Sequence, residues 1–134
     1  MINTYLSKFS DYSFRILIHL AKNQNKLCTV EELANSFQIS EHHVKKIVHK
    51  LAKTDYITSI KGRNGGLSLG MDPKNINLGE VLEITEDNLD IVECFCEESN
   101  TCNLNKNCKF KRVIYDALGS FIDEFKNYSL QDII

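Results

Sequence analysis

Apolar residues in the first third of the chain recur at the spacing of helices. From residue 12 to residue 21 the chain is apolar on nearly every side, which predicts a buried first helix with Ser10 or Asp11 as its N-cap. Thr29 is followed three residues later by Glu32, a capping-box pattern that predicts the start of a second, short helix. The apolar face of this second helix consists of Leu33, Ala34 and Phe37.

A third helix is predicted after a two-residue connection at residues 38–39. Ser40 can cap this helix, and its apolar positions then recur at i, i+3, i+4 and i+7. These positions are Val44, Ile47, Val48 and Leu51. Two short helices joined so closely are typical of a helix-turn-helix.

A β-hairpin is predicted directly after the third helix. Residues 56–60 are rich in β-forming side chains, residues 67–69 alternate between apolar and polar, and segment 61–66 between them is rich in glycine. Glycine supplies the positive φ values that a tight hairpin turn requires. A hairpin in this position is the wing of a winged helix-turn-helix.

Two further helices are predicted in the last part of the chain. Residues 78–85 can form one of them, and from Phe110 onward apolar residues keep helical spacing over about four turns. That long face is wide enough to be buried against more than one neighbour. The predicted fold class is mainly α with a small β-wing: a winged helix-turn-helix DNA-binding domain at residues 1–75, then a cysteine loop and a long C-terminal helix at residues 76–134.

Composition narrows the class of protein. A chain of 134 residues with 43% hydrophobic and 25% charged residues suits one ordinary globular domain with an appended helix. No apolar run approaches the roughly 20 residues that cross a bilayer, and the N-terminus lacks a signal-peptide pattern. We therefore expect a cytoplasmic protein with no membrane partner. The sequence shows neither a glycine-rich phosphate loop nor a nucleophile with its base, so we do not expect an enzyme.

Charge is divided unevenly along the chain, although the net charge is only -2. Residues 40–63 contain six Lys or Arg against two acids, whereas residues 79–105 contain eight acids and no Lys or Arg. A basic segment and an acidic segment predict two different roles.

The outward side of the third helix carries the basic segment. A cationic helix after a capped tight turn suits the major groove of DNA, and the wing adds Lys61 and Arg63 for a narrow minor groove. A lone basic helix is more often a solvated surface, but the helix-turn-helix and the wing together favour binding of double-stranded operator DNA. The predicted DNA-binding residues are Ser40, His42, His43, Lys45, Lys46, His49, Lys50, Lys61, Arg63 and Asn64.

Four of the five cysteines lie within 15 residues, namely Cys94, Cys96, Cys102 and Cys108. Cytosolic thiols are kept reduced, so this clustering favours metal binding or redox chemistry over structural disulfides. The spacing lacks the C-x-x-C pairs of structural zinc sites and suits an iron-sulfur cluster held by a loop. A metal-free thiol/disulfide switch, a zinc site with a carboxylate ligand and inert cysteines are the alternatives. Cys28 stands alone and is interpreted as a small buried hydrophobe.

These residues resemble the iron-sulfur winged-helix regulators that include NsrR and IscR, and within them the nitric-oxide-sensing NsrR branch. Residues 6–12 with Arg15 are similar to the opening of that branch, and residues 62–67 match its wing. Residues 93–95 with Cys102 and Cys108 match its cysteine loop, and residues 128–130 resemble its closing motif. The resemblance implies a repressor, a homodimer clasped by the C-terminal helix, and nitric oxide as effector.

The resemblance also implies a set of cluster ligands. These are Cys94, Cys102 and Cys108 of one subunit with Asp11 of the partner subunit, and a 4Fe-4S cluster is favoured over 2Fe-2S. From spacing alone, Asp11 is better explained as a helix N-cap. The IscR branch has a histidine where Lys111 stands, which argues against that type of site. Cys96 occupies a position where a non-cysteine is usual in the NsrR branch, so it is a candidate substitute for Cys94.

Overall fold

The computed structural model describes residues 6–86 and 108–134. The helices are α1 Lys8–Lys22, α2 Val30–Phe37, α3 Glu41–Ala52, α4 Leu78–Thr85 and α5 Lys109–Lys126, and the strands are β1 Ile57–Ile60 and β2 Gly66–Leu69. Two short 3-10 helices lie at Pro73–Asn75 and Leu130–Ile133. The predicted fold class, mainly α with a small β-wing, is confirmed.

Helix α1 begins earlier than predicted. Ser7 is its N-cap, and its hydroxyl accepts a hydrogen bond of 3.1 Å from the backbone N–H of Ser10. The prediction that Ser10 or Asp11 caps this helix is wrong, because both lie within its first turn. The first turn is rich in polar residues, so the apolar periodicity begins only after the helix has started.

The predicted caps of the helix-turn-helix are confirmed. Thr29 accepts from the N–H of Glu32 at 3.0 Å to cap α2, and Ser40 accepts from the N–H of His43 at 3.0 Å to cap α3. Between the two helices Gln38 adopts a left-handed conformation with φ 55°. That conformation is uncommon outside glycine and asparagine, and it turns the chain sharply enough for α3 to follow at once.

The wing has the predicted glycine-dependent turn. Strands β1 and β2 pair antiparallel, and Ile60 lies opposite Gly66. Gly62 has φ 110°, where a side chain would be strained, and a Cβ on Gly65 would collide with the carbonyl oxygen of Ile60. Outside the two strands, Cys28 pairs with β2 through an isolated bridge.

One core joins the helix-turn-helix to the end of the chain. The predicted apolar positions of α3 are buried in it, together with fully buried side chains of α1 such as Leu17. Leu130 is also fully buried in this core, and its N–H donates to the carbonyl of Ile76 at 2.9 Å. Residues on both sides of position 75 therefore pack in the same core. Among the described residues, no helix has the length and apolar character needed to cross a bilayer.

Candidate DNA-binding surface and cysteine region

The outer face of α3 and the tip of the wing form one exposed cationic surface. Burial of one side of α3 in the core leaves the other side in solvent, and the Ser40 side chain, which caps the helix, is exposed as well. At the wing tip the turn glycines hold the neighbouring side chains outward. The exposed residues of the predicted set are Ser40, His42, Lys45, Lys46, His49, Lys61, Arg63 and Asn64.

The two remaining residues of that set are half-buried against α1. The His43 ring meets the Tyr12 ring edge to face, with centroids 5.6 Å apart. The Lys50 ammonium lies 5.7 Å from the centroid of the Phe9 ring, within the range of a cation–π contact. Helix α3 therefore rests on the N-terminal half of α1.

Asp11 lies in that same half of α1, and it does not cap the helix. Its carboxylate pairs with both ends of the Arg15 guanidinium, at 2.9 Å to Nε and 3.1 Å to Nη2. The Arg15 guanidinium also lies 5.0 Å from the centroid of the Tyr12 ring. The Asp11 side chain remains 44% exposed, so its carboxylate can be reached from outside the chain.

Cys108 is the N-cap of α5, a role that the sequence did not predict. Its sulfur accepts from the N–H of Lys111 at 3.4 Å, and the residue is half-buried. Its sulfur therefore lies at the N-terminus of α5, where the backbone N–H groups of the first turn point toward it. Cys94, Cys96 and Cys102 lie outside the described residues.

A polar cluster fastens the start of α1 to the residue after α4. One carboxylate oxygen of Glu86 accepts from the Ser10 hydroxyl at 2.6 Å and from both the backbone N–H and the hydroxyl of Ser7 at 3.2 Å. Ser10 is fully buried. No local pattern indicates these contacts, since the partners are more than 75 positions apart along the chain.

Helix α5 presents two apolar faces, and only one of them packs against other described residues. Its inner face lies on α4, and Phe125 reaches Phe14 of α1 at 5.9 Å between ring centroids. The outer face is a stripe at positions 110, 113, 117 and 121, in which Phe110 is 67%, Val113 63% and Phe121 44% exposed. No residue of α5 is classed as buried. Within residues 6–86 and 108–134, no side chain buries this outer apolar stripe.

Comparison with known proteins identifies the family. A family model named Rrf2 and described as an iron-dependent transcriptional regulator matches residues 6–134. The chain belongs to this Rrf2 family. Two relatives named HTH-type transcriptional regulator NsrR support the assignment: that of Bacillus licheniformis is 45% identical over 130 residues, covering 96% of this chain and 91% of the relative. That of Shouchella clausii is 43% identical over 130 residues, covering 96% and 87%.

A solved structure supports the Rrf2 fold. IscR of T. potens superposes with a TM-score of 0.75 at 17% identity, covering 98% of this chain and 86% of that chain. At such low identity the likeness concerns the fold alone. The relatives carry the names of transcriptional regulators, not of enzymes.

Proposed function

We propose that this Rrf2 protein is a repressor that binds operator DNA as a homodimer and is switched by an iron-sulfur cluster that senses nitric oxide or redox state. It has no catalytic role and acts in the cytoplasm, where bacterial DNA lies. Residues 1–75 contribute the DNA-binding part, and residues 76–134 the cluster loop and the dimerisation helix. The observation that carries the proposal is the exposed cationic surface of α3 and the wing, in a chain 45% identical to an NsrR regulator.

The DNA-binding surface divides into contacts that position and contacts that specify. Lys45 and Lys46 are exposed on α3 and suit phosphates, while His42 in the first turn is placed to reach base edges. Arg63 at the exposed wing tip enters a minor groove. Phosphate contacts supply affinity without sequence preference, so the lysines account for most of the salt dependence.

Two of the proposed cluster ligands, Cys108 and Asp11, lie in the part of the chain that the structure describes, and both suit an iron-sulfur cluster. Cys108 presents its sulfur at a helix N-terminus, and the exposed Asp11 carboxylate is paired with Arg15 by a surface contact. Cys94, Cys102 and Cys108 would hold the cluster with Asp11 of the partner subunit, and Cys96 would substitute for Cys94. When bound, the cluster supplies iron that reacts with nitric oxide and holds a carboxylate less firmly than a thiolate.

The neighbours of Asp11 connect that ligand to the recognition helix. A metal bound to the Asp11 carboxylate competes with Arg15 for the same two oxygens, and the Arg15 guanidinium lies over the Tyr12 ring. Tyr12 in turn contacts His43 of α3. A metal–carboxylate bond that forms in only one geometry of the dimer favours that geometry. The contacts of Arg15 with Tyr12, and of Tyr12 with His43, transmit this preference to α3.

A second copy of the chain covers the outer apolar stripe of α5. The stripe runs along a helix of 18 residues, about 27 Å long, and repeats at three- and four-residue intervals that suit packing against another helix. A symmetric pair presents the same stripe on both subunits, and it places two recognition helices for two half-sites about one DNA turn apart.

The DNA-binding part of the proposal is tested with an operator selected from a pool of random duplexes. Replacing Lys45 and Lys46 by alanine should weaken binding and reduce the slope of log affinity against log salt by about 2, since each phosphate contact contributes about 0.9. Replacing the exposed Lys22 and Lys74, which lie outside α3 and the wing, is the matched control and should leave the slope unchanged. An unchanged slope in the Lys45 and Lys46 variant would mean that another face binds DNA.

The cluster is tested by anaerobic purification followed by absorption spectroscopy, iron analysis and operator binding. We expect a brown protein whose operator affinity falls when a nitric oxide donor is added, a colourless Cys108→Ser variant and a coloured Cys96→Ser variant. The Asp11→Asn and Arg15→Gln variants should both respond less to nitric oxide, because each interrupts the contacts from Asp11 to α3, whereas Lys22→Gln, at an exposed position of α1, should keep the response. A colourless wild type without iron after anaerobic reconstitution contradicts the proposal, and DNA release on thiol oxidation alone would indicate the disulfide switch.

A further inference from the structure

Three side chains able to ligate metal meet between α1 and α2, away from the cysteine loop. His19 lies on α1, Cys28 pairs with wing strand β2, and Glu32 lies in the first turn of α2. Their nearest ligand atoms all lie within 4.8 Å of one another. We propose that His19, Cys28 and Glu32 form a separate site for a zinc-class divalent cation, which fastens the first helix of the helix-turn-helix to α1 and the wing.

The backbone holds these three groups in place. Cys28 exchanges two hydrogen bonds with Leu67, of 2.9 Å and 2.7 Å, so its position is tied to the wing. The His19 ring packs edge to face on Phe37, with centroids 5.9 Å apart. Ligands fixed in this way lose little freedom when an ion binds, which favours affinity.

The distances suit a tetrahedral ion. Zinc bonds of about 2.0–2.1 Å to nitrogen or oxygen and about 2.3 Å to sulfur place tetrahedral ligand atoms roughly 3.3–3.6 Å apart. His19 Nε2 and Glu32 Oε2 are 3.5 Å apart. Cys28 Sγ lies within 4.8 Å of both atoms, so small side-chain rotations would bring it to a third corner, and a water would take the fourth.

Two buried polar atoms at this place, His19 Nε2 and Glu32 Oε2, have no hydrogen-bond partner among the described residues. They face each other at 3.5 Å, which is long for a hydrogen bond. A buried polar atom without a partner is destabilising, so such atoms call for an explanation. A cation between them would satisfy both atoms, and the side chains, 23% and 32% exposed, leave it a path from solvent.

The charge of the site also suits a cation. Lys26 Nζ lies 2.7 Å from Oε1, the other carboxylate oxygen of Glu32. Carboxylates that ligate a metal are usually held by such a hydrogen bond from a neighbouring group. Contacts with Lys26 and then Cys28 lower the pKa of Glu32 to about 2, so it is ionised. Burial raises the pKa of Cys28 to about 11, so the metal-free thiol is protonated. Formation of the metal–sulfur bond then releases one proton to solvent.

The ligand types select the ion. One thiolate, one imidazole and one carboxylate suit Zn²⁺, whereas Mg²⁺ requires oxygen ligands. The site is independent of the proposed cluster, because it uses neither Asp11 nor a cysteine of the loop. The sequence predicted Cys28 to be a small buried hydrophobe. Its zero exposure confirms this prediction, but the contacts of Cys28 with the neighbouring ligands were not predicted.

The test uses the full chain with the loop cysteines at 94, 96, 102 and 108 replaced by serine, so that Cys28 is the only thiol. After dialysis against buffered zinc, we expect one equivalent of Zn²⁺ by elemental analysis and a higher melting temperature, with no effect of Mg²⁺. Co²⁺ should give the intense near-ultraviolet absorption of a thiolate bond. Adding His19→Gln should abolish zinc binding, and Lys26→Ala should weaken it about 10- to 100-fold.

Each result decides the proposal. The proposal is overturned if the His19→Gln protein binds zinc as well as the protein with His19 does. It is also overturned if neither protein binds zinc. Because Cys28→Ser changes a fully buried residue, His19→Gln and Glu32→Gln are the deciding variants, and circular dichroism must show that both are folded. Iron content of the wild-type loop, measured separately in a His19→Gln protein, should be unchanged, so failure here and failure of the cluster proposal are distinguishable.

Discussion

The winged-helix region and helix α5 use apolar residues in opposite ways. In the first, side chains such as Leu17, Ile47 and Leu130 are fully buried, and the core is filled from within one chain. In α5 the apolar residues are at best half-buried, and Phe110 and Val113 are more than 60% exposed. Similar apolar periodicity therefore gives a filled core in one region and, among the described residues, an exposed apolar stripe in the other. Four measurements test this difference between the two regions.

The largest effect is expected in the filled core. Leu17→Ala should lower the free energy of unfolding by about 3 kcal/mol, because it removes buried apolar contacts and leaves a cavity. Lys22→Ala, on an exposed position of the same helix, should change it by less than about 0.5 kcal/mol. Denaturant titration of both variants checks this. A loss below about 1 kcal/mol for Leu17→Ala would show that the core tolerates a void.

The next effect concerns association rather than folding. Val113→Glu should weaken self-association at least 30-fold, about 2 kcal/mol, because it places a charge in the outer apolar stripe. Arg112→Glu is the matched control, since on a helical wheel it projects away from that stripe and adds the same acid. Analytical ultracentrifugation over a range of concentrations measures the dissociation constant of each variant. Equal association of both variants would mean that another surface joins the subunits.

A smaller effect is expected where the two regions are joined. Asn77 caps α4 through Oδ1, which accepts from Gly79 and Glu80, and its amide donates to the carbonyl of Lys126 at 2.8 Å. Asn77→Ala should cost about 1–2 kcal/mol, whereas Asn77→Asp keeps the cap and loses only the bond to α5. The loss in Asn77→Asp relative to the wild type measures that bond, and the further loss in Asn77→Ala measures the cap. An Asn77→Asp protein as stable as the wild type would show that the bond to α5 contributes nothing.

The smallest effect is expected on the surface of the same junction. Lys126 and Glu83 form an ion pair of 3.1 Å in which both side chains are nearly half exposed. Exposed pairs contribute at most about 1 kcal/mol and are screened by salt. Glu83→Gln should therefore change the unfolding free energy by less than about 0.5 kcal/mol at 0.15 M salt. A larger loss that persists at 1 M salt would mean that Glu83 supports α5 in another way.

Local patterns predicted most of the elements of this fold. Thr29 and Ser40 cap their helices as expected, since a side-chain oxygen and an N–H three residues away need no distant partner. The glycines of the wing turn act in the same local way. The start of α1 was misplaced because its polar first turn shows no apolar period, and Gln38 takes a conformation that no local pattern indicates.

The sequence by itself determined the helix periods, two of the caps, the hairpin turn and the basic face of α3, because each depends on residues within about four positions of one another. Only the tertiary structure decided which apolar residues of α5 face inward, that Glu86 holds Ser7 and Ser10, and that His19, Cys28 and Glu32 meet. These arrangements join segments that are separate along the chain. Their partners are chosen by the packing of the core, which no single window of sequence contains.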